Sequence, residues 1–386
     1  MQILTSTDAL ATFCKEARQQ PYVTVDTEFL RERTYYSKLC LVQLAMPGQA
    51  NDGAVLIDPL ADGLVLDPLY DLFNDEAVVK VFHAARQDLE IFYVDAQVLP
   101  QPLFDTQVAA MVCGFGEQVG YETLVRKIAK QSLDKTSRFT DWSRRPLTDA
   151  QLSYALADVT HLRDIYEHLA NRLQDTGRSR WVNEELSTLL SPDTYIVKPD
   201  EAWRRVKTRT NSSRFLAVVK ELAAFREAYA QEHNIPRNRI FKDEALIELA
   251  GNKPKSIEEL GRSRLLLREA RKGAVADGIL SAIKRAVEMA PDDMPKPDRS
   301  RDRLQVNTAL ADLLRVLLKA KTESEGVAAK LVAPAADLDA IAAGVRDLPA
   351  LKGWRKELFG QDALRLCDGE IALAAEGGDV RIIPLD

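Results

Sequence analysis

Residues 22–30, Tyr-Val-Thr-Val-Asp-Thr-Glu-Phe-Leu, constrain this chain more than any other stretch. The run Tyr22, Val23, Thr24, Val25 is aromatic and β-branched and reads as a buried strand. Asp26 and Glu28 follow without a break, although burying an unpaired carboxylate is costly. Side chains alternate across a strand, so Asp26 and Glu28 share one face and Thr27 takes the other. Two neighbouring carboxylates repel unless a cation lies between them, and hard divalent cations take carboxylate oxygens. Alone, an Asp-x-Glu reads more simply as a strand end running into solvent. The other carboxylates decide between the two.

The chain has 386 residues, more than one ordinary domain, so two or three are expected. Its 46% hydrophobic and 28% charged residues fit a soluble globular protein with a sizeable core in each domain. No apolar run approaches the ~18–20 residues that span a bilayer. The start, Met-Gln-Ile-Leu-Thr-Ser-Thr-Asp, lacks the basic and apolar regions of a signal peptide. Cys14, Cys40, Cys113 and Cys367 are scattered, which predicts reduced thiols and a cytoplasmic location. Four His and no Cys-x-x-Cys argue against zinc. Nothing points to a membrane or to an obligate protein partner. The net charge of −6 conceals an asymmetry: residues 201–290 hold 19 Lys+Arg against 12 Asp+Glu. Such a segment is either a solvated helical face or a surface for a polyanion.

Along the chain, a helix is expected over 6–18 and strands over 22–30, 38–45, 54–57 and 78–82. Helices are expected over 66–73, 84–93, 105–113, 121–131, 148–174 and 179–190. Strands first, then strand–helix alternation, then helices, predict an α/β or α+β domain ending near 190. Residues 191–213 read as a connector. From 214 the pattern is helical: 215–229, 242–250, 256–261 and 266–287. Ala290-Pro-Asp-Asp-Met-Pro-Lys-Pro297 reads as a Pro-rich linker. A second helical unit over about 303–370, similar in length and punctuation to the first, suggests a divergent repeat, and 379–384 reads as extended.

Asp88, six residues past the strand 78–82, is placed in the first turns of the next helix, over the sheet end. Tyr154 and Asp158 lie one turn apart on one face of an apolar helix. Each alone has a plainer reading, a first-turn Asp favoured by the helix dipole or a surface stripe. Together, four converging carboxylates can hold two Mg²⁺ or Mn²⁺ ions about 3.5–4 Å apart, the geometry of in-line phosphoryl displacement.

The pattern resembles the DEDD superfamily of 3′→5′ exonucleases, in the branch with Tyr in its third motif. Val25-Asp-Thr-Glu28, the segment ending at Asp88, and Tyr154-Ala-Leu-Ala-Asp158 carry its three motifs. Asp26-Thr-Glu-Phe-Leu-Arg-Glu-Arg-Thr-Tyr-Tyr36, Leu41-Val-Gln-Leu44, Phe104-Asp-Thr-Gln107 and Asp141-Trp-Ser-Arg-Arg-Pro-Leu-Thr148 are similar to the ribonuclease D family in particular. So are 191–206 and 214–290, the latter resembling an HRDC domain.

The resemblance implies an α/β ribonuclease H-like exonuclease domain, a mixed sheet with helices, over 1–200. Two all-α HRDC-like helical domains would follow over 207–290 and 300–375, the second divergent. It implies Asp26, Glu28, Asp88 and Asp158 as ligands of two divalent metal ions, with Tyr154 positioning the attacking water. Phe29 and Leu30 are expected either to stack against terminal bases or to be core. Gln43 and His83 are as readily structural, and Asp105 is expected to cap a helix. Lys and Arg of 201–290, with Trp203 and Phe215, are expected to contact the RNA backbone. The implied activity is hydrolytic removal of nucleotides from RNA 3′ ends as nucleoside 5′-monophosphates. tRNA precursors and other structured RNA with single-stranded 3′ ends are the implied substrates. A DNA 3′→5′ exonuclease and a catalytically silent nucleic-acid adaptor are the alternatives.

Overall fold

The computed structural model describes residues 2–134, 137, 140–208, 210, 212–296 and 305–385. They fall into two compact units. The first comprises Met1–Glu28, Cys40–Thr194 and Arg303–Asp386; the second comprises Phe29–Leu39 and Tyr195–Asp302.

The first unit is built on a six-stranded sheet. In chain order its elements are β1 (Gln2–Leu4), α1 (Thr7–Ala17), β2 (Tyr22–Leu30), β3 (Lys38–Ala45), β4 (Ala54–Ile57), α2 (Asp67–Phe73), β5 (Val79–Phe82), α3 (Arg86–Ala96) and β6 (Leu103–Asp105). Helices α4 (Thr106–Val112), α5 (Tyr121–Leu124), α6 (Asp149–Asp175) and α7 (Ser179–Leu189) follow. The strand order is β1-β4-β3-β2-β5-β6, which puts β2 inside the sheet. β2 and β5 run parallel, as do β5 and β6 and β1 and β4, while β3 and β4 are antiparallel. The sheet is therefore mixed, as expected. Val23, Val25, Leu41, Val42, Leu44, Leu56 and Ile57 are fully buried, which is why these β-branched and aliphatic runs form interior strands.

The β2–β5 pairing runs from Tyr22↔Val79 to Thr24↔Val81, and β5 ends at Phe82. Asp26 and Glu28 thus sit near the carboxyl end of two parallel strands, the edge where open α/β sheets place ligands. Helix α6 is opened by a capping box between Thr148 and Gln151. Its Leu152, Ala155, Leu156, Val159, Leu162 and Ile165 are buried. Short edge strands β1 and β6 were not expected. The expected helix 121–131 is one turn of α-helix continued by a π-helical turn, Val125–Ala129.

The second unit centres on α8 (Ser213–Glu232), with α9 (Arg237–Ile240), α10 (Asp243–Asn252), α11 (Ile257–Gly261) and α12 (Gly273–Glu288). The helix expected from 266 begins only at Gly273, whose φ of 63° breaks the backbone where a side chain would be strained. The expected connector 191–213 contains two 3₁₀ helices, Pro192–Thr194 and Pro199–Arg205. A 3₁₀ helix over Pro199–Arg205 packs Ala202 and Val206 into this core, with Trp203 and Phe215 partly buried against it. The Pro-rich linker likewise sends Met294 into the same core; its residue 297 lies outside the described residues. The segment Phe29–Leu39 also belongs here. The Tyr35 hydroxyl donates to the buried Glu227 and accepts from Gln231 at 3.2 Å, and the Tyr36 N–H donates to Asn234 at 2.9 Å.

The last stretch of the first unit holds α13 (Thr308–Glu325), α14 (Ala329–Val332), α15 (Ala335–Ala342), α16 (Gly353–Arg355) and α17 (Gln361–Cys367). It closes with a hairpin, β7 (Ile371–Glu376) and β8 (Asp379–Pro384). This stretch packs on the sheet-bearing part. Trp354, fully buried, stacks on Trp181 with ring centroids 4.6 Å apart. Its indole N–H donates to Glu185, which also accepts from Arg355 at 2.6 Å. Ala328 N–H donates to Met111 O at 2.9 Å. Gly114, with φ 80°, lies so close that a Cβ there would stand 2.5 Å from Gly326 O. All four cysteines are free thiols. Among the described residues no helix is long and apolar enough to cross a membrane.

Candidate active site

One carboxylate oxygen each from Asp26, Glu28 and Asp158 lies within 4.8 Å of the others. The strand period delivers the first two on one face. The third comes from α6, whose register over the sheet is pinned nearby. The Thr24 hydroxyl, two residues before Asp26 on the same face, lies 2.8 Å from Val159 O and 3.2 Å from Ala45 O. The Tyr121 hydroxyl donates to Asp158 O at 2.8 Å and Ala157 O at 3.0 Å, on the same turn of α6. Neither residue was singled out from the sequence. Their partners lie 135 and 37 residues away, so no local spacing announces them.

Asp88 stands outside this trio. It is buried in the first turn of α3, and its Oδ1 accepts a hydrogen bond from the Thr27 hydroxyl. Thr27, expected only to take the face opposite Asp26 and Glu28, thus bonds the fourth carboxylate. Asp105 is an N-cap, as expected. It accepts from Gln107 N–H at 2.8 Å and Val108 N–H at 3.4 Å, and also from Ala84 and Ala85 N–H at 3.0 and 2.8 Å. These last bonds hold the left-handed turn at Ala84, φ 58°, that launches α3 and Asp88.

Electrostatics follow from this crowding. Burial first, then the charges of Asp158, Asp88 and Glu28, push the Asp26 carboxyl well above its usual range. Burial pushes Asp88 up to about 7, against the Thr27 hydroxyl bond that lowers it. Tyr154, one turn before Asp158, hydrogen-bonds that carboxylate. Burial and then the charges of Asp158, Glu28 and Asp26 hold its phenol above the ordinary value. Four acids whose charges oppose one another in this way form a donor set that fits hard divalent cations, which relieve the repulsion by taking the carboxylate oxygens.

The trio opens on a cleft of about 380 Å³ lined by Asp26, His83, Tyr121, Tyr154, Asp158 and Leu162, among others. His83 lies 2.9 Å from the Thr106 hydroxyl, and burial lowers its pKa, so it lines the cleft as a neutral ring. Gln43 is fully buried on β3. Phe29 and Leu30, the last residues of β2, are half-buried. Trp142 is buried with its ring centroid 6.1 Å from that of Tyr154.

Residues 1–174 match the family model described as 3'-5' exonuclease, and residues 215–283 match the HRDC domain. The chain is 63% identical over 380 residues to Ribonuclease D of Jannaschia sp. (strain CCS1), covering 98% of each chain. It is 48% identical to Ribonuclease D of Granulibacter bethesdensis over 99% of this chain and 96% of that one. Among solved structures, Escherichia coli RNase D, described as an exoribonuclease involved in structured RNA processing, superposes with a TM-score of 0.83. That match has 30% identity and covers 95% of this chain and 98% of that chain.

Proposed function

The chain belongs to the ribonuclease D family of 3′→5′ exoribonucleases, and from that premise we propose that it trims precursor tRNA and other structured RNA at single-stranded 3′ ends, with two divalent ions, releasing nucleoside 5′-monophosphates. The observation that carries this reading is the oxygen trio of Asp26, Glu28 and Asp158, with Tyr154 bonded to its last member. Asp26, Glu28, Asp158 and Asp88 would hold the ions. When bound, these supply positive charge to the scissile phosphate and its leaving oxygen and acidify an attacking water. The protein's own groups do the rest. The strand and helix α6 fix the carboxylates before substrate arrives, so little reorganisation is needed at the moment of reaction. Tyr154 keeps its proton and orients water by hydrogen bond rather than ligating metal. Phe29 and Leu30, which follow Glu28 on the same strand, would stack against the terminal bases.

The test is a 3′-tailed RNA with Mg²⁺ or Mn²⁺, run beside a matched DNA and an EDTA control. RNA should shorten one nucleotide at a time to 5′-monophosphates, stop in EDTA, and resume when metal is restored. Asp26→Asn should stay folded by circular dichroism and lose at least about 100-fold in rate. Near-normal turnover by that variant would remove the site from consideration.

A further inference from the structure

Thr27 stands between the two acids of β2 and interrupts an apolar stripe. Val23, Val25 and Thr27 are two residues apart, so they share the face of β2 opposite Asp26 and Glu28. Val23 and Val25 are fully buried, and Thr27 is buried with them. A third valine would continue the stripe with no polar group to satisfy. A threonine brings a hydroxyl into the interior, which is costly to bury without a partner. Its partner comes from another element. The Thr27 hydroxyl donates to Asp88 Oδ1, 61 residues further on, and both side chains are buried. The Thr27 backbone also hydrogen-bonds the Asp26 carboxyl. One residue thus touches an acid of its own strand and an acid of α3.

The backbone and the side chain of Asp88 are placed by different groups. Asp105 sets the backbone, accepting from Ala84 and Ala85 N–H at 3.0 and 2.8 Å where the chain turns into α3. A fixed backbone still leaves an aspartate more than one staggered rotamer. The Thr27 hydroxyl favours the rotamer that brings Oδ1 to it. Asp88 also stands outside the oxygen trio of Asp26, Glu28 and Asp158. An ion held by the trio does not need Asp88, whereas a second ion would. Carboxylates that ligate metals depend on outer hydrogen bonds of this kind for orientation and affinity. We propose that Thr27 is a positioning residue for the second divalent ion: its hydroxyl holds the Asp88 carboxylate ready to ligate, and the ion of the trio is indifferent to it. The inference rests on the reading of the four carboxylates as ligands of two ions. It assigns to one hydroxyl the difference between the two.

The full chain, without RNA, is titrated with Mn²⁺ while the free ion is read by electron paramagnetic resonance. Wild type should take up two ions, and Asp88→Asn should take up one, which marks the ion that needs Asp88. Thr27→Val keeps the shape of the side chain and removes the hydroxyl. It should bind the Asp88-dependent ion about 10–100-fold more weakly and leave the ion of the trio unchanged. Thr27→Ser keeps the hydroxyl and should restore wild-type uptake. Thr27→Ala removes the hydroxyl without asking the core to accept a valine and should show the same selective loss, so the result does not hang on one variant folding. Melting temperatures are taken alongside. A threonine that only packs predicts otherwise. Wild-type uptake of both ions by Thr27→Val overturns the proposal. So does an equal loss of both ions that follows a fall in melting temperature, or a Thr27→Ser protein as weak as Thr27→Val. A wild-type chain that takes up a single ion overturns the two-ion reading itself, and this proposal with it.

Discussion

Tyr154 sits one helical turn from Asp158 and hydrogen-bonds it, with a phenol held in its neutral form by burial and by three nearby carboxylates. A neutral phenol is a poor ligand for a hard cation and a good donor for orienting water. Tyr154→Phe keeps the ring against Trp142 and removes one hydrogen bond. Single-turnover cleavage should slow by about 10–1000-fold, with RNA and metal affinity nearly unchanged. Asp158→Asn should lose metal affinity together with rate. Wild-type single-turnover rates in Tyr154→Phe would reassign the residue to packing. The residues legible in the sequence were those whose partners lie on the same element: Asp26 with Glu28 by the two-residue period, Tyr154 with Asp158 by the helical turn. Thr27, Thr24 and Tyr121 could not be read that way. Each acts through a group on another element, and a Thr in a strand or a Tyr in a loop carries no local mark of it. Asp88 shows the same limit from the other side. Its place at the start of α3 was legible, but its bond to Thr27 joins elements 61 residues apart, which no local spacing announces.

At the scale of elements, the loop Asp141–Thr148 that feeds α6 is clamped from below. Arg145 donates through Nε to Asp58 Oδ2 at 2.7 Å, through Nη2 to Asp58 Oδ1 at 2.6 Å, and also to Cys40 O and Trp142 O. This paired geometry holds Trp142 beside Tyr154. Burial pushes the Asp58 carboxyl up, but the Arg145 and Leu60 hydrogen bonds and the Arg145 charge outweigh it and leave the pKa lowered. A lowered carboxyl contributes stability above its unfolded pKa, about 3.9, and loses it as pH falls through the folded value. Asp58→Asn should therefore be about 1–3 kcal/mol less stable than wild type at pH 7, with the gap closing below about pH 4. Urea unfolding across that range checks it; a gap that persists in acid would mean that packing, not charge, is what the substitution disturbs. Long elements rich in β-branched or periodic apolar residues were legible, β2, β3, β4 and α6 among them. The three-residue edge strands were not, because so short a run pairs only where a neighbour supplies the template. The 3₁₀ helix inside the expected connector 191–213 was not legible either, because Pro199 opens helical backbone as readily as it marks open chain.

For the whole molecule, the last 80 or so residues are not a detachable appendage, since Arg303–Asp386 clusters with the sheet-bearing part. Trp354 on Trp181, Arg355 and Trp354 on Glu185, and the Ala328–Met111 bond all cross from one stretch to the other. From the sequence, deleting 207–386 is expected to weaken binding to long structured RNA more than it slows cleavage of a short single-stranded oligonucleotide. With these contacts it should also destabilise the exonuclease part, and activity on a short oligonucleotide should fall with it. Trp354→Ala alone should cost about 3–5 kcal/mol of unfolding free energy. Thermal unfolding of both proteins separates the alternatives: a truncated chain that melts like the full one would show the packing to be dispensable.

The segment Phe29–Leu39 has one more consequence, for a chain still emerging from the ribosome. Strand β2 carries Asp26 and Glu28 and continues directly into this segment, whose Tyr35 is held by Glu227, 192 residues further on. At roughly 5–20 residues synthesised per second, the segment that follows β2 waits about 10–40 s for that partner. During that interval Tyr35 and Tyr36 lack the Glu227, Gln231 and Asn234 groups that later bond them. A nascent fragment ending before residue 227 thus carries the acidic motifs while Tyr35, further along the chain, still lacks its Glu227 partner.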